Sequence, residues 1–119
     1  MNINHLDLQV TDVQRSVVFF ETFFGLTLQT NRTSPAIAIL SDGAGFVLVL
    51  QRKKEPAQTY PDGFHLGFLV DEIAIVERTH AALLQAGVEV SAIDRNSRGT
   101  MIYCRHDGIL VEVSCRQKH

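Results

Sequence analysis

The chain lacks a long hydrophobic run, a strong excess of either charge and a dense set of cysteines. No stretch of about 18 consecutive apolar residues occurs, so no transmembrane helix is predicted. The N-terminal residues lack the basic and apolar regions of a secretory signal peptide. A net charge of −2 gives no electrostatic reason to expect binding to nucleic acid. These absences favour a cytoplasmic protein that acts on a small molecule.

The size and the two cysteines point to one reduced domain. A chain of 119 residues can bury one core, but it is too short for two independent ones. Cys104 and Cys115 fall on strands that are predicted to be adjacent, at positions that do not face each other. A disulfide between them is therefore not expected.

The sequence contains two copies of one pattern. Each copy begins with an alternating strand that carries a histidine near its start, continues with a helical pattern that ends at Gly25 or Gly87, and then has three strands. The expected strands are 3–10, 26–32, 36–41 and 46–52 in the first copy, and 64–70, 88–94, 99–105 and 109–115 in the second. Thr11 to Gln14 resembles a capping box for the first helix, and 72–86 is the second helix. The fold class is therefore α+β, with two βαβββ modules at about 1–53 and 64–119 and a proline-containing linker at 54–63.

An Asp-Gly pair near the C-terminus predicts the pairing of the last two strands. Asp107-Gly108 is a strong signal for a two-residue hairpin turn. With that turn His106 pairs with Ile109, and Tyr103 lies directly opposite Glu112. Opposed residues share a face of the sheet, so Tyr103 and Glu112 are expected to be neighbours.

Three potential metal ligands occupy matched positions of the repeat. His5, His65 and Glu112 each lie on the strand face opposite an apolar stripe, so all three could line one concave surface. Two imidazoles and a carboxylate suit Fe2+, Mn2+, Ni2+ or Zn2+ and leave coordination positions open, as in the two-histidine, one-carboxylate facial triad.

The alternative is that each of these residues is an ordinary strand residue. A single histidine is more often satisfied by backbone or water than bound to a metal. The repeat-matched placement of His5, His65 and Glu112 favours the metal site. The other histidines have no such placement: His80 lies in a helix, His106 beside a turn and His119 at the terminus, and all three are expected at the surface.

The same motifs carry a resemblance to a known superfamily. The sequence resembles the vicinal oxygen chelate superfamily in both copies of the repeat. The motifs that carry the resemblance are Asn4-His5-Leu6 with Asp12 and Phe19-Phe20…Phe24-Gly25-Leu26 in the first copy, and Phe64 to Phe68 and Asp107 to Val113 in the second. That superfamily includes glyoxalase I, extradiol dioxygenases, fosfomycin resistance proteins and bleomycin resistance proteins. The resemblance covers essentially the whole chain. It implies an open, cupped mixed sheet with His5, His65 and Glu112 as metal ligands.

Departures from the family patterns narrow the expected chemistry. Val49 stands where two members of the superfamily, glyoxalase I and methylmalonyl-CoA epimerase, have a carboxylate ligand. Its absence disfavours proton-shuttling isomerisation. Fosfomycin enzymes usually have a hydroxyl residue where this chain has Asp7, whose charge would repel a dianion, and this chain lacks their longer basic tail. Extradiol dioxygenases have a tyrosine on the strand before the glutamate strand, and Tyr103 fits its place if the turn differs by one residue. Their second-shell histidine has no counterpart, because no histidine lies between residues 6 and 64.

The sequence therefore predicts a divalent-metal enzyme that chelates a small substrate through adjacent oxygens. Dioxygenase-like chemistry is slightly preferred over lyase or transferase chemistry, with Tyr103 as the catalytic candidate. Substrate contacts are expected from the polar residues of the cup, which are Asp7, Gln9, Gln51 and Ser114. The alternatives are a metal-free ligand-sequestering protein like the bleomycin resistance proteins and a fosfomycin-type thiol transferase. The resemblance also implies a homodimer in which His5 of one chain completes the site of the other.

Overall fold

The chain folds into two compact units with the same order of elements. The computed structural model describes residues 1–116. The first unit is Met1–Gln58 and the second is Thr59–His119. Each unit has the order βαβββ, which confirms the predicted α+β class with two such modules. The division falls within the segment expected to be a linker, and the assignment of the whole chain to one domain stays a prediction.

The first unit is one helix on a four-stranded mixed sheet. Its elements are β1 His5–Val10, α1 Val13–Phe24, β2 Thr27–Leu28, β3 Ile37–Ser41 and β4 Val47–Arg52. The strand order is β1-β4-β3-β2. β1 and β4 are parallel, and the other neighbours are antiparallel.

The second unit repeats this arrangement. Its elements are β5 His65–Leu69, α2 Ile73–Gln85, β6 Asp94–Asn96, β7 Gly99–His106 and β8 Ile109–Cys115. The strand order is β5-β8-β7-β6, with β5 and β8 parallel. None of the helices in the described part of the chain is long and apolar enough to span a membrane.

Helix α1 is fixed by a cap at each end and by an apolar face. The Asp12 carboxylate accepts a hydrogen bond from the backbone N–H of Arg15 at 3.1 Å, so Asp12 is the N-cap. The capping box that would begin at Thr11 is therefore wrong by one residue. Gly25 ends the helix at φ 67°, a left-handed conformation that favours glycine. Phe20 is fully buried on the side that packs against β3 and β4, worth about 1.5–3 kcal/mol of transfer free energy.

Two predicted strands are shorter or displaced because polar side chains occupy backbone groups. The strand expected at 26–32 is only Thr27–Leu28. It ends before a turn in which the Asn31 side chain accepts from the N–H of Thr33 at 2.9 Å. The strand expected at 88–94 is also wrong: regular pairing begins at Asp94, and Val90 makes only an isolated bridge. There the Ser91 hydroxyl accepts from the N–H of Tyr103, in place of a regular ladder bond.

The last hairpin has the predicted register. Asp107 and Gly108 have φ of 51° and 75°, as a two-residue hairpin turn of this kind requires. His106 pairs with Ile109, and Tyr103 pairs with Glu112. The turn therefore places the hydroxyphenyl and the carboxylate on one face of the sheet.

Both cysteines and His80 lie in contact with other parts of the second unit. Cys104 and Cys115 are buried and free, paired with Val111 and Thr100. Burial raises the pKa of the Cys104 thiol to about 11, so it is protonated at neutral pH. The ring of His80 is 3.0 Å from the carbonyl oxygen of Ser91. The surface prediction for His119 lies outside the described residues.

Gly99 begins β7 where the chain passes closest to the end of β8. Its φ is 131°, and a Cβ there would lie 2.1 Å from the carbonyl oxygen of Cys115 and 2.9 Å from the Cα of Arg116. Both contacts are with backbone, so a side chain cannot be accommodated by rotating a neighbour. Gly99 therefore allows the close approach of these two segments.

We expect Gly99→Ala to lower the free energy of unfolding by about 3 kcal/mol or more, since it adds a backbone clash to an unfavourable φ. Gly43→Ala is the matched control, because Gly43 also has a positive φ but a Cβ added there would have no atom within 4 Å. The control should lose only about 1 kcal/mol. Urea unfolding of both variants measures the difference. Equal losses would show that the close approach at Gly99 is not structurally important.

Candidate functional site

The polar face of the second sheet carries the site residues that the sequence predicts in that unit. Parallel pairing puts Gly67 of β5 beside Glu112 of β8, and antiparallel pairing puts Tyr103 of β7 on its other side. His65 lies two residues before Gly67 and so faces the same way. The opposite face carries fully buried Ile109 and Val111. The alternation of β8 therefore separates a core face from a face available for chemistry.

The imidazole of His65 is oriented by a backbone carbonyl. Its Nδ1 lies 3.0 Å from the carbonyl oxygen of Gly63. A carbonyl oxygen can only accept, so Nδ1 carries the hydrogen and donates it. In the neutral ring Nε2 then keeps its lone pair, and this atom lies 3.7 Å from Oε1 of Glu112. Two electron-pair donors therefore face each other across a gap that is too long for a hydrogen bond.

The Glu112 carboxylate is held from a second side. The hydroxyl of Tyr103 donates to Oε2 of Glu112 at 3.2 Å. A Cβ at Gly67 would lie 3.4 Å from Oε1, so the absence of a side chain there leaves space beside the carboxylate. The Glu112 side chain is only 20% exposed. Its orientation is therefore set by Tyr103, while Oε1 stays directed towards His65.

The surroundings of Tyr103 keep its hydroxyl protonated. Burial has the largest effect in raising the pKa of Tyr103, followed by the negative charge of Glu112 and the hydrogen bond to it. The positive charge of Arg98 acts in the opposite direction with a smaller effect. Tyr103 is therefore a hydrogen-bond donor throughout the neutral pH range.

A cavity of about 310 Å³ opens beside Glu112 within the second unit. It is lined by Arg98, Met101, Glu112, Ser114 and Arg116. Ser114, predicted as a substrate contact, is 4% exposed and reaches this cavity. Sequence reasoning missed Arg98, Met101 and Arg116. The pairing of Met101 with Ser114 could have been read from the hairpin register, whereas Arg98 lies in a turn that carries no periodic signal.

The remaining predicted residues lie in the first unit, where three of them form a hydrogen-bonded cluster. Asp7 accepts hydrogen bonds from the side-chain amides of Gln9, at 3.1 Å, and of Gln51. His5 is exposed at the start of β1. Val49 pairs with Asp7 as Glu112 pairs with Gly67, so Val49 occupies the position equivalent to Glu112. The first unit therefore has no carboxylate at that register position.

Within residues 1–116, no group of three or more His, Cys, Asp or Glu side chains is close enough to hold a metal ion. The second unit nevertheless supplies a pair that fits a divalent ion. Metal bonds from imidazole nitrogen and carboxylate oxygen are about 2.0–2.2 Å long, so two ligand atoms 3.7 Å apart can share one ion with a bent geometry. The Nδ1 bond to Gly63 is of the kind that orients histidines which bind metal ions in proteins.

Comparison with known proteins identifies the family to which this fold corresponds. The model of the Glyoxalase/Bleomycin resistance protein/Dioxygenase superfamily matches residues 2–113. A possible glyoxalase from Bacillus cereus is 32% identical, with 97% of this chain and 99% of that chain covered and a TM-score of 0.82. No curated protein sequence matches the chain significantly.

More distant structures share the fold. A genomically encoded fosfomycin resistance protein from Listeria monocytogenes is 17% identical, with 97% and 93% of the two chains covered and a TM-score of 0.79. A glyoxalase/dioxygenase from Nostoc punctiforme is 23% identical, with 98% and 92% covered and a TM-score of 0.78. The duplicated βαβββ units define a glyoxalase-type scaffold. The chain belongs to the Glyoxalase/Bleomycin resistance protein/Dioxygenase superfamily.

We expect Tyr103 to titrate above the ordinary tyrosine pKa of about 10 in the metal-free protein. Glu112→Gln should lower this pKa, because it removes the negative charge and the anionic acceptor. The pKa should stay above the ordinary value, since burial is the largest cause. Ultraviolet absorbance of the phenolate measures the titration, and Tyr103→Phe isolates the curve of Tyr60. An unchanged Tyr103 pKa in Glu112→Gln would contradict the hydrogen bond.

Proposed function

We propose that the protein is a divalent-metal-dependent enzyme that binds a small substrate through two adjacent oxygens. The observation that supports this most directly is the lone pair of His65 Nε2 facing Glu112 Oε1 at 3.7 Å. Two such donors side by side favour a cation between them. His65 and Glu112 are two of the proposed ligands, and Fe2+, Mn2+, Ni2+ and Zn2+ all accept this donor set.

His5 of a second copy of the chain is the proposed third ligand. His5 opens β1 at the position that His65 occupies in β5. The chain's resemblance to its superfamily implies that the first unit of one copy completes the site of the other. A two-fold homodimer would then contain two equivalent sites, each with two histidines and one glutamate.

A divalent ion bound here would polarise substrate oxygens and lower the pKa of a substrate hydroxyl. The residues of the chain have separate roles beside it. Tyr103 holds Glu112 by donating its hydroxyl hydrogen, which leaves the lone pairs of that oxygen to accept a hydrogen bond from the substrate. Ser114 lines the cavity, and the amides of Gln9 and Gln51 fix the Asp7 carboxylate. Asp7, Gln9 and Gln51 are the proposed substrate contacts from the first unit.

Dioxygenase-like chemistry is preferred over lyase or transferase chemistry. Proteins with this fold include a lactoylglutathione lyase from Agrobacterium tumefaciens, a fosfomycin resistance protein and the oxidase ChaP-H2. Tyr103 beside Glu112 supports the preference, since the extradiol pattern has a tyrosine at this place. Val49 at the position equivalent to Glu112 removes the second carboxylate that proton-shuttling isomerisation would use.

We expect the purified protein to bind about one divalent ion per chain. Glu112→Gln and His65→Ala should each weaken binding by about 100-fold or more, because loss of even an outer-shell contact costs about 10–100-fold. Glu72→Gln is the matched control, since Glu72 is exposed and its side chain makes no cap bond. Calorimetric titration of protein freed of metal measures these affinities. Binding that the two ligand variants leave unchanged would contradict the assignment.

Turnover then separates the enzyme from a sequestering protein. Catechol should change the spectrum of the anaerobic Fe2+ protein, and admitted oxygen should be consumed if the dioxygenase proposal is right. Tyr103→Phe should slow this consumption by about tenfold or more when the variant is saturated with Fe2+, since loss of its hydrogen bond to Glu112 also weakens metal binding. Turnover of epoxides or thiol adducts alone would favour transferase chemistry. Ligand binding that is indifferent to metal removal, without any turnover, would favour the sequestering function.

A mixed dimer tests the shared site. His5→Ala and Glu112→Ala chains are each expected to bind metal poorly. When they are unfolded together and refolded, the mixed dimer should regain one intact site, because the wild-type His5 and the wild-type Glu112 then meet across the interface. Calorimetry on the mixture measures the recovered stoichiometry. Absence of recovery in a dimer that has formed, shown by its size in solution, would indicate sites within single chains.

A further inference from the structure

Two arginines that are distant in the sequence line the same cavity as Glu112. Arg98 lies in the turn between β6 and β7, and Arg116 follows the end of β8. Gly99 places these segments in contact, because its missing side chain allows the backbone to approach the Cα of Arg116. The close backbone contact at Gly99 therefore brings the segments that carry Arg98 and Arg116 together, so that both arginines line one cavity.

Neither guanidinium forms an ion pair with another described residue. Two other arginines are paired: Arg32 binds Glu21 at 2.7 Å and Arg95 binds Glu77 at 2.8 Å. Arg98 and Arg116 thus retain their hydrogen-bond donors for another acceptor. Guanidinium donors match the geometry of carboxylate and phosphonate oxygens, to which they can bind in pairs.

The cavity lining has a positive formal charge, although the chain as a whole is negative. The chain has a net charge of −2, whereas the cavity is lined by two arginines and one glutamate and has no other charged residue among those described. The lining is therefore positive before any metal ion binds. The hydroxyl of Ser114 adds a neutral donor to the same wall.

The strand geometry sets the distance between the two ends of this cavity. Ser114 lies two residues beyond Glu112 on one strand, a rise of about 7 Å, and Arg116 lies further in the same direction. One small molecule can span that distance within a cavity of about 310 Å³. Oxygens held near His65 and Glu112 at one end therefore leave room for a second polar group at the other.

We propose that the substrate carries a carboxylate, which Arg98 and Arg116 bind at the end of the cavity away from His65. The inference rests on the proposed function for the chelating end of the substrate. The anion subsite makes the enzyme selective for acidic substrates over neutral ones of the same size. Because both arginines are exposed, their contribution is moderate and decreases with ionic strength.

The first test compares catechols bound to the zinc-loaded protein, in which no turnover interferes. The probes are 3,4-dihydroxybenzoate and the neutral 4-methylcatechol, with affinities measured by calorimetry at low salt. We expect the carboxylated probe to bind about fivefold to tenfold more tightly. Arg98→Gln and Arg116→Gln should each remove most of that preference and leave 4-methylcatechol unchanged. Arg78→Gln on α2 is the matched control and should keep the preference.

The second test needs no metal. Benzoate is titrated into the metal-free protein while the side-chain N–H signals of Arg98 and Arg116 are followed by nuclear magnetic resonance. Selective shifts of these two signals support the subsite even where no catechol binds the zinc protein, a result that would count against the proposed function alone.

Three results would overturn the inference. Equal binding of both catechols to the wild-type zinc protein would leave the metal site intact but remove the anion subsite. Absence of any selective shift at Arg98 and Arg116 in the metal-free titration, when neither catechol binds, would also remove it. A carboxylate preference that survives in both Arg98→Gln and Arg116→Gln would assign the anion to other residues.

Discussion

The parallel pairing of the first and last strands in each unit is the constraint on which the rest of the structure depends. Parallel neighbours need a crossover connection, and the helix in that connection covers one face of the sheet. The uncovered face is left for polar residues. In the second unit the same pairing places Gly67 beside Glu112. A slip of one residue would turn Glu112 towards the helix, so core burial and the proposed chemistry depend on the same register.

The shared register also shows where the two units differ. Val49 and Ile39 in the first unit occupy the positions of Glu112 and Tyr103 in the second. Apolar residues thus replace both the carboxylate and its hydrogen-bond donor. The polar residues of the first unit are instead grouped around Asp7, which accepts from two amides. One scaffold, duplicated, therefore carries two different polar faces.

Much of this arrangement could be predicted because it follows from short-range rules. Strand alternation gave the faces of His65 and Glu112, and the Asp107-Gly108 turn gave the pairing of Tyr103 with Glu112. The failures arise where a side chain replaces a backbone partner. The Ser91 hydroxyl takes the N–H of Tyr103, and no periodicity in the sequence signals that exchange. The cavity wall escaped prediction for a different reason: Arg98 and Arg116 are 18 positions apart, and they share a wall only because Gly99 closes onto the end of β8. The glycine itself is visible in the sequence, but the segment it contacts is not.

The hydrogen bond from His65 to Gly63 means that the connection before β5 sets the tautomer of the imidazole. One backbone carbonyl determines which nitrogen of the neutral imidazole carries the proton and which keeps its lone pair. The segment before β5 therefore does more than join two elements, because its backbone fixes the protonation of a side chain on the next strand. Grafting the strand from His65 onward into another scaffold would transfer the imidazole without its tautomer. The shortest segment that carries both this histidine and its tautomer therefore begins at Gly63.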